Sequence, residues 1–213
     1  GSIKELLLHG EDITQKDRAG QTPLIFATRR QQTAAVRALC DLGADPNMRD
    51  NLGLAPLHVG ITASDLHEAH ALLEAGVGLD LNVADTNGLT PLHYAAEALM
   101  VEPARVLVNS GARVNATNGW GQSSLHVAAS VSVNDSSADV IDHLLRWGAE
   151  EEAVDQNGKT PANVLGINAR LANGIQVQNL AIDIRARRLL VNADADRRER
   201  RWRRRCFPVM WRA

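Results

Sequence analysis

Large rings are scarce in this sequence: four Trp, two Phe and one Tyr among 213 residues, 3% of a chain that is 45% apolar. A conventional globular core draws much of its buried area from aromatics; a chain this poor in them, and rich in Ala, Leu and Val, suits thin packed layers. Cysteine is scarcer still. Cys40 and Cys206 lie far apart and offer no disulfide framework, and Cys40 reads as a small core residue. No run approaches the roughly 18 apolar residues of a membrane span, and no signal-peptide pattern is present. The setting expected from this is intracellular, cytoplasmic or nuclear. Gly-rich phosphate loops and Cys–His nucleophile patterns are also missing. His67-x-x-His70 has the spacing for two ligands on one helix face, but no third ligand or orienting partner accompanies it, so it reads as a solvated face. Neither cofactor nor metal nor small-molecule substrate is expected, and an enzyme is not.

Negative charge is in slight excess overall, at −2, and its distribution is uneven. Residues 181–213 hold 11 Arg against four acids, a net of +7, which leaves −9 on the other 180 residues. Asymmetry of this kind points to an interaction role for one end or the other.

What the sequence has is a repeat. Asp85–Thr117 forms a unit of 33 residues, and turn glycines recur in phase at Gly20, Gly53, Gly88, Gly121 and Gly158, with gaps of 33, 35, 33 and 37. A second series, Gly43, Gly76, Gly111 and Gly148, closes each later apolar run. A fixed period of this length means a stacked array in which each unit covers its neighbour. Within the unit, Thr90-Pro91 is a helix start: Thr can accept the free amides as N-cap, and Pro gives up an amide with no helical partner. Leu92, Ala95 and Ala96 make a small-residue face. Val101–Asn109 supplies a second short helix with Val106 and Leu107 inward, ended by Gly111, and Ala112–Gly119 is turn-prone.

The pattern resembles the ankyrin repeat. Asp85, Gly88, Thr90, Pro91, Leu92, His93, Ala95, Ala96, Gly111, Ala112 and Asn115 match the family motif almost position for position. The resemblance implies an all-α repeat solenoid of helix-turn-helix units joined by β-hairpin loops. It also implies that His58, His93 and His126 are structural, bonding across the turn and to the next repeat. The expected organisation is an ankyrin repeat domain over 3–190, made of a half-repeat 3–16 and five repeats at 17–49, 50–84, 85–117, 118–154 and 155–190. A C-terminal cap helix (Val177, Leu180, Ala181 and Ile184 at helical spacing) and an Arg-rich tail, 191–213, complete it.

Departures from the motif mark individual units. The first has Ile25 for the motif His. The second has Ala55 for the Thr cap, a loss of about 1 kcal/mol, carries Gly60 inside its first helix at roughly another 0.5–1 kcal/mol, and has a longer exit loop at Val77–Val83; it is expected to be the softest. The fourth has Ser123-Ser124 for Thr-Pro and a longer, polar inter-helix segment, Val131–Ala138, expected to bulge. Glu150-Glu151-Glu152 reads as surface charge. Leu39…Asp45-Pro46-Asn47 and Leu107…Arg113-Val114-Asn115 resemble the setting in which ankyrin proteins undergo asparaginyl hydroxylation, although Asn in a turn is explained by the turn backbone alone.

The family binds partners on the concave surface made by hairpin tips and the exposed edge of the first helices. Carried over, the candidate partner-binding residues are Trp120, Leu52, Leu54, Leu89, Arg29, Arg30, Gln122 and Lys159, with Thr62, Glu97, Ser130 and Val131 on the same helix edge. Trp120 stands out because Trp and Arg are the types most enriched in binding hot spots; the competing reading has it packed on a neighbouring finger. The tail residues Arg201, Trp202, Arg203, Arg204, Arg205, Phe207 and Trp211 admit three readings. They form a solvated basic arm, a binder of nucleic acid or anionic lipid, or a segment that folds back on this molecule or associates with another copy. The first functional expectation is a non-enzymatic scaffold that binds another protein; the alternative places recognition in the tail.

Overall fold

The computed structural model describes residues 12–62, 66–75, 78–131 and 135–165. Four helix pairs follow one another: α1 (Pro23–Arg29) with α2 (Thr33–Asp41), α3 (Pro56–Ile61) with α4 (His67–Ala75), α5 (Pro91–Glu97) with α6 (Val101–Asn109), and α7 (Ser124–Ser130) with α8 (Asp135–Arg146). A single 3-10 turn, Pro161–Val164, then opens the next unit. Among the described residues no strand forms; Thr117 and Ser123 make one isolated antiparallel bridge. The expected all-α repeat architecture is what the chain adopts. The expected half-repeat lies largely outside the described residues, and the cap helix and tail wholly so.

First helices stack on first helices, from α1 through α3, α5 and α7 to the 3-10 turn, and each second helix lies against its own partner. The outer layer is interrupted: α2 packs on α4 and α6 on α8, while α4 and α6 make no comparable contact. The interruption falls at the longer exit loop of the second unit. Every helix sends at least one leucine into the core. Leu24, Leu57, Leu92 and Leu125 from the first helices, and Leu39, Leu72, Leu107 and Leu144 from the second, are all buried, each contributing about 2 kcal/mol by the area it removes from water. Alanines at 95, 96, 128 and 129 lie between the layers without exposure.

Three details differ from the sequence reading. Val106 is only half-buried; Pro103 and Ala104 turn inward with Leu107 instead, because three and four residues separate neighbours on a helix face and the adjacent position rotates away. The longer segment of the fourth unit is partly helical. It lengthens α8 to 12 residues and buries Ala138 completely. Glu151 is buried while Glu150 and Glu152 are exposed, so that run is not uniformly surface charge. Gly60 has a packing reason: a Cβ there would lie 3.2 Å from the Ala69 amide nitrogen of α4.

The motif histidines hold the first helices in register. Nδ1 of His58, His93 and His126 accepts the backbone N–H of Ala55, Thr90 and Ser123, at 3.1, 3.1 and 3.2 Å. Nε2 of the same rings donates to the backbone oxygens of Leu89, Gln122 and Lys159 in the next unit, at 3.0, 2.9 and 3.0 Å. Each imidazole is therefore a neutral bracket between two repeats, as the resemblance implied. The cap works differently from the expectation, however. Only Thr22, where Ile25 replaces His, accepts the third amide of its helix, at 3.3 Å; Thr90 and Ser123 send their hydroxyls to the histidine Nδ1 instead, at 2.9 Å each. Ala55 thus keeps its backbone bond to His58 and lacks only the hydroxyl bond to the ring that Thr90 and Ser123 make. In the following unit Asn163 Oδ1 takes the histidine's place and accepts the Thr160 N–H at 3.1 Å.

Candidate interaction surface

Every hairpin tip is built around one carboxylate or amide. Oδ1 of Asp17, Asp50, Asp85, Asn118 and Asp155 accepts two backbone N–H groups, two and four residues on, at 2.8–3.0 Å. Such a side-chain turn fixes the tip before any neighbour is added. The tips are then laced together. The amides of Asn51, Thr86, Gly119 and Gln156 donate to the oxygens of Ala19, Leu52, Asn87 and Trp120 in the preceding finger, at 3.1, 3.2, 2.8 and 3.0 Å. Approach this close needs glycine behind it: Gly53 has φ +80°, and a Cβ there would lie 2.5 Å from the Thr86 nitrogen.

The exit loops carry a second lacing, and here the asparagines differ from the sequence reading. Asn47 and Asn115 do not merely satisfy their own turns. Asn47 donates to the Gly78 oxygen and accepts the Asp80 N–H, at 2.5 and 2.8 Å; Asn115 does the same with Gly148 and Glu150, at 3.1 and 3.0 Å. Asn82 accepts the Arg113 N–H at 2.7 Å. These amides are cross-links between repeats.

On this rigid ribbon the candidate residues take distinct places. Leu52 and Trp120 are the exposed apolar tips, at 64% and 50%. They occupy the same register position two fingers apart, with Asn87 between them. Leu54 and Leu89 are half-buried, Gln122 is half-buried with its Oε1 3.4 Å from Asn118 Nδ2, and Lys159 is exposed. Arg29 stands with Nη2 3.6 Å from Asp50 Oδ2, and the Arg30 guanidinium lies 5.3 Å from the centre of the Phe26 ring. On the helix edge, Ser130 is buried and donates to the Val127 oxygen, which withdraws it from the expected contact surface. Arg201, Trp202, Arg203, Arg204, Arg205, Phe207 and Trp211 lie outside the described residues.

Sequence reasoning missed the column formed by Phe26, Val59, Tyr94, Val127 and Val164, one residue past the motif His. Phe26 is 47% exposed. Tyr94 meets His58 edge to face, with ring centroids 5.3 Å apart, and donates to Asp85 Oδ2 at 3.0 Å; burial, reinforced by the Asp85 carboxylate, pushes its hydroxyl well above the usual phenol range. The signal was available: the sole Tyr and one of two Phe occupy the same position in two units of an aromatic-poor chain. Together Arg29, Leu54, His58 and Tyr94 line a cavity of about 270 Å³ between the first helices and the tips. Burial also holds the imidazoles of His58, His93 and His126 below their ordinary value, outweighing the bonds to Leu89, Gln122 and Lys159 that work the other way.

A ribbon of laced fingers over paired helices, bracketed by histidine, defines a class, and comparison agrees. Three overlapping copies of the ankyrin-repeat family model match residues 1–85, 42–118 and 65–157; the chain belongs to the ankyrin repeat family, whose members generally mediate protein–protein interaction. It is 34% identical to neurogenic locus notch homolog protein 1 of Homo sapiens over 160 residues, 75% of this chain and 6% of that protein. The figures are the same for the Mus musculus protein. With neurogenic locus notch homolog protein 2 of Homo sapiens it shares 35% identity over 154 residues, 72% of this chain and again 6% of the relative. The chain thus spans about 6% of the length of these curated relatives. No described helix is long and apolar enough to cross a membrane.

Proposed function

We propose that this chain is a non-enzymatic scaffold, intracellular and either cytoplasmic or nuclear, that binds another protein through its concave face, with Trp120 and Leu52 as anchors and Leu54, Leu89, Arg29, Arg30, Gln122 and Lys159 around them. The observation that carries this is the exposure of Leu52 and Trp120 on tips whose backbones are fully tied down. A rigid apolar anchor loses little conformational entropy on binding, which is what a hot spot needs. The non-enzymatic reading is supported by the motif histidines: both ring nitrogens of each are engaged in brackets. The domain organisation goes with it: a half-repeat, five repeats and a cap over 3–190, followed by the tail. A photo-crosslinking residue at position 120 should give a discrete adduct that the same residue at exposed Asn109, on an outer helix, does not. Adducts formed only from position 109 would end this reading.

A second reading rests on the seven Arg within residues 197–205: the tail binds nucleic acid or an anionic membrane, with the repeats as carrier. Binding of that kind weakens steeply with salt, whereas an apolar tip contact barely responds. Stopping the chain after Val191 separates the two.

A further inference from the structure

The concave face is not uniform, and its N-terminal end is built to a different chemistry from the tips. The body from 12 to 165 carries ten Lys and Arg against 19 acids, yet the one charged side chain lining the 270 Å³ cavity is a cation, Arg29. Arg29 is held there by Asp50, whose carboxylate is 2% exposed and already accepts the Leu52 and Leu54 amides, while the Arg29 side chain itself stays 46% exposed. Arg30 follows directly, lying against the Phe26 ring. An ion pair at 3.6 Å draws the half-exposed guanidinium toward the mouth and leaves its donors free for an incoming acceptor.

The other polar groups on the cavity wall are engaged internally. Thr28 Oγ1 donates to the Leu24 oxygen at 2.8 Å, Thr62 Oγ1 to the Val59 oxygen at 3.0 Å, Tyr94 to Asp85, and His58 to Leu89. What faces an incoming group is therefore donor chemistry at the mouth, from Arg29 and the exposed Gln31 amide, above a floor of Leu54, Val59 and the His58–Tyr94 ring pair. The volume falls below the roughly 300–1,000 Å³ of sites that enclose a drug-sized molecule. It suits one side chain of an extended peptide.

We propose that this subsite receives a peptide segment of the partner in which a carboxylate side chain adjoins an apolar one, the carboxylate meeting Arg29 and the apolar group entering above Leu54 and Tyr94. The proposal rests on the concave-face reading above and adds the partner's chemistry. It predicts that the acidic body nevertheless selects an acidic segment, because the Arg29 guanidinium and not the net charge stands at the contact.

The test is a peptide selection on the full chain. Displayed random twelve-residue peptides are selected on wild type, Arg29→Gln, Arg29→Lys and Trp120→Ala, each first shown by circular dichroism to melt cooperatively. Wild type should enrich Asp or Glu next to a Leu-, Met- or Phe-like residue. The best synthetic clone should bind Arg29→Gln at least about tenfold more weakly, the scale of a hydrogen bond to a charged group. Arg29→Lys, which keeps the charge and loses the fork, should fall between. An acidic preference that survives Arg29→Gln, a pool with no acidic preference, or no enrichment at all overturns the proposal. A pool indifferent to Arg29 but lost with Trp120→Ala overturns it while leaving the tip-anchored reading in place. A pool sensitive to Arg29 and indifferent to Trp120 supports it and removes Trp120 from the anchors.

Discussion

Replacing His93 tests the bracket on which the array depends. The ring is completely buried and joins two units: Nδ1 accepts the Thr90 amide and hydroxyl, and Nε2 donates to the Gln122 oxygen at 2.9 Å. Truncation to Ala removes the bond between repeats, leaves the Thr90 amide without its partner and the Gln122 oxygen with the Asn118 N–H alone, and opens a ring-sized void. Summing about 1 kcal/mol per net bond with the desolvation of the orphaned groups and the void gives about 3–5 kcal/mol, a large share of the 5–15 kcal/mol expected of a domain. His93→Asn is the informative companion. Asn163 already performs the local half of the task, accepting the Thr160 amide at 3.1 Å, so His93→Asn should keep the helix start and lose only the link to Gln122, costing about 1–2 kcal/mol. Urea unfolding followed by circular dichroism measures both. A linear array divides where a neighbour contact is cut, so His93→Ala should also lower the slope of ΔG against urea as the transition loses cooperativity. Equal costs for Ala and Asn, or a change below about 0.5 kcal/mol for Ala, would refute the bracket.

Ser124 is fully buried with an unpartnered hydroxyl at the first position of α7, where α1, α3, α5 and the 3-10 turn all begin with Pro; Ser124→Pro should stabilise by about 1 kcal/mol and raise the melting temperature, and a lower one would contradict it. Gly43 and Gly53 have similar φ, +86° and +80°, but only at Gly53 would a Cβ meet backbone, 2.5 Å from the Thr86 nitrogen. Gly43→Ala should therefore cost about 1 kcal/mol and Gly53→Ala about 1–3 more, and equal losses in urea titration would show that the fingers are not in close approach. Burial depresses the His58, His93 and His126 pKa values below the unfolded value of about 6.5, so the unfolded chain binds protons first as pH falls. Stability should be whole above about pH 6.5 and decline from there toward the folded-state values. A urea midpoint that is level or rises between pH 7 and pH 5 would exclude neutral brackets.

The repeat was legible because its signals are local and recur. Gly53, Gly88 and Gly121 all have positive φ, which few other residues accept, and Thr90-Pro91 starts a helix whatever surrounds it. What sequence could not supply was direction in space. Asn47 and Asn115 suit a turn in any context; that their amides reach the next repeat depends on the exact stacking distance. Val106 and Leu107 are both apolar, and only the packing of α6 decides that one is buried and the other half-exposed. Arg29 ends α1 with its side chain half-exposed, and its ion pair with Asp50 spans two units, which no single motif shows. Phe26 and Tyr94 were missed because the motif gives their position no fixed residue, so the column becomes visible only when units are laid side by side. At Thr90 the hydroxyl had a choice between an amide and the imidazole, and the histidine three residues on took it.

Hydrogen exchange of the full chain with and without a captured partner bears most directly on the claim that the fingertips and the groove beneath them do the binding. Added protection should concentrate in residues 51–54, 86–89 and 119–122 and in the first helices α1, α3 and α5, leaving 101–109 on the outer layer unchanged. Protection confined to the outer helices, or to residues beyond 191, would contradict it.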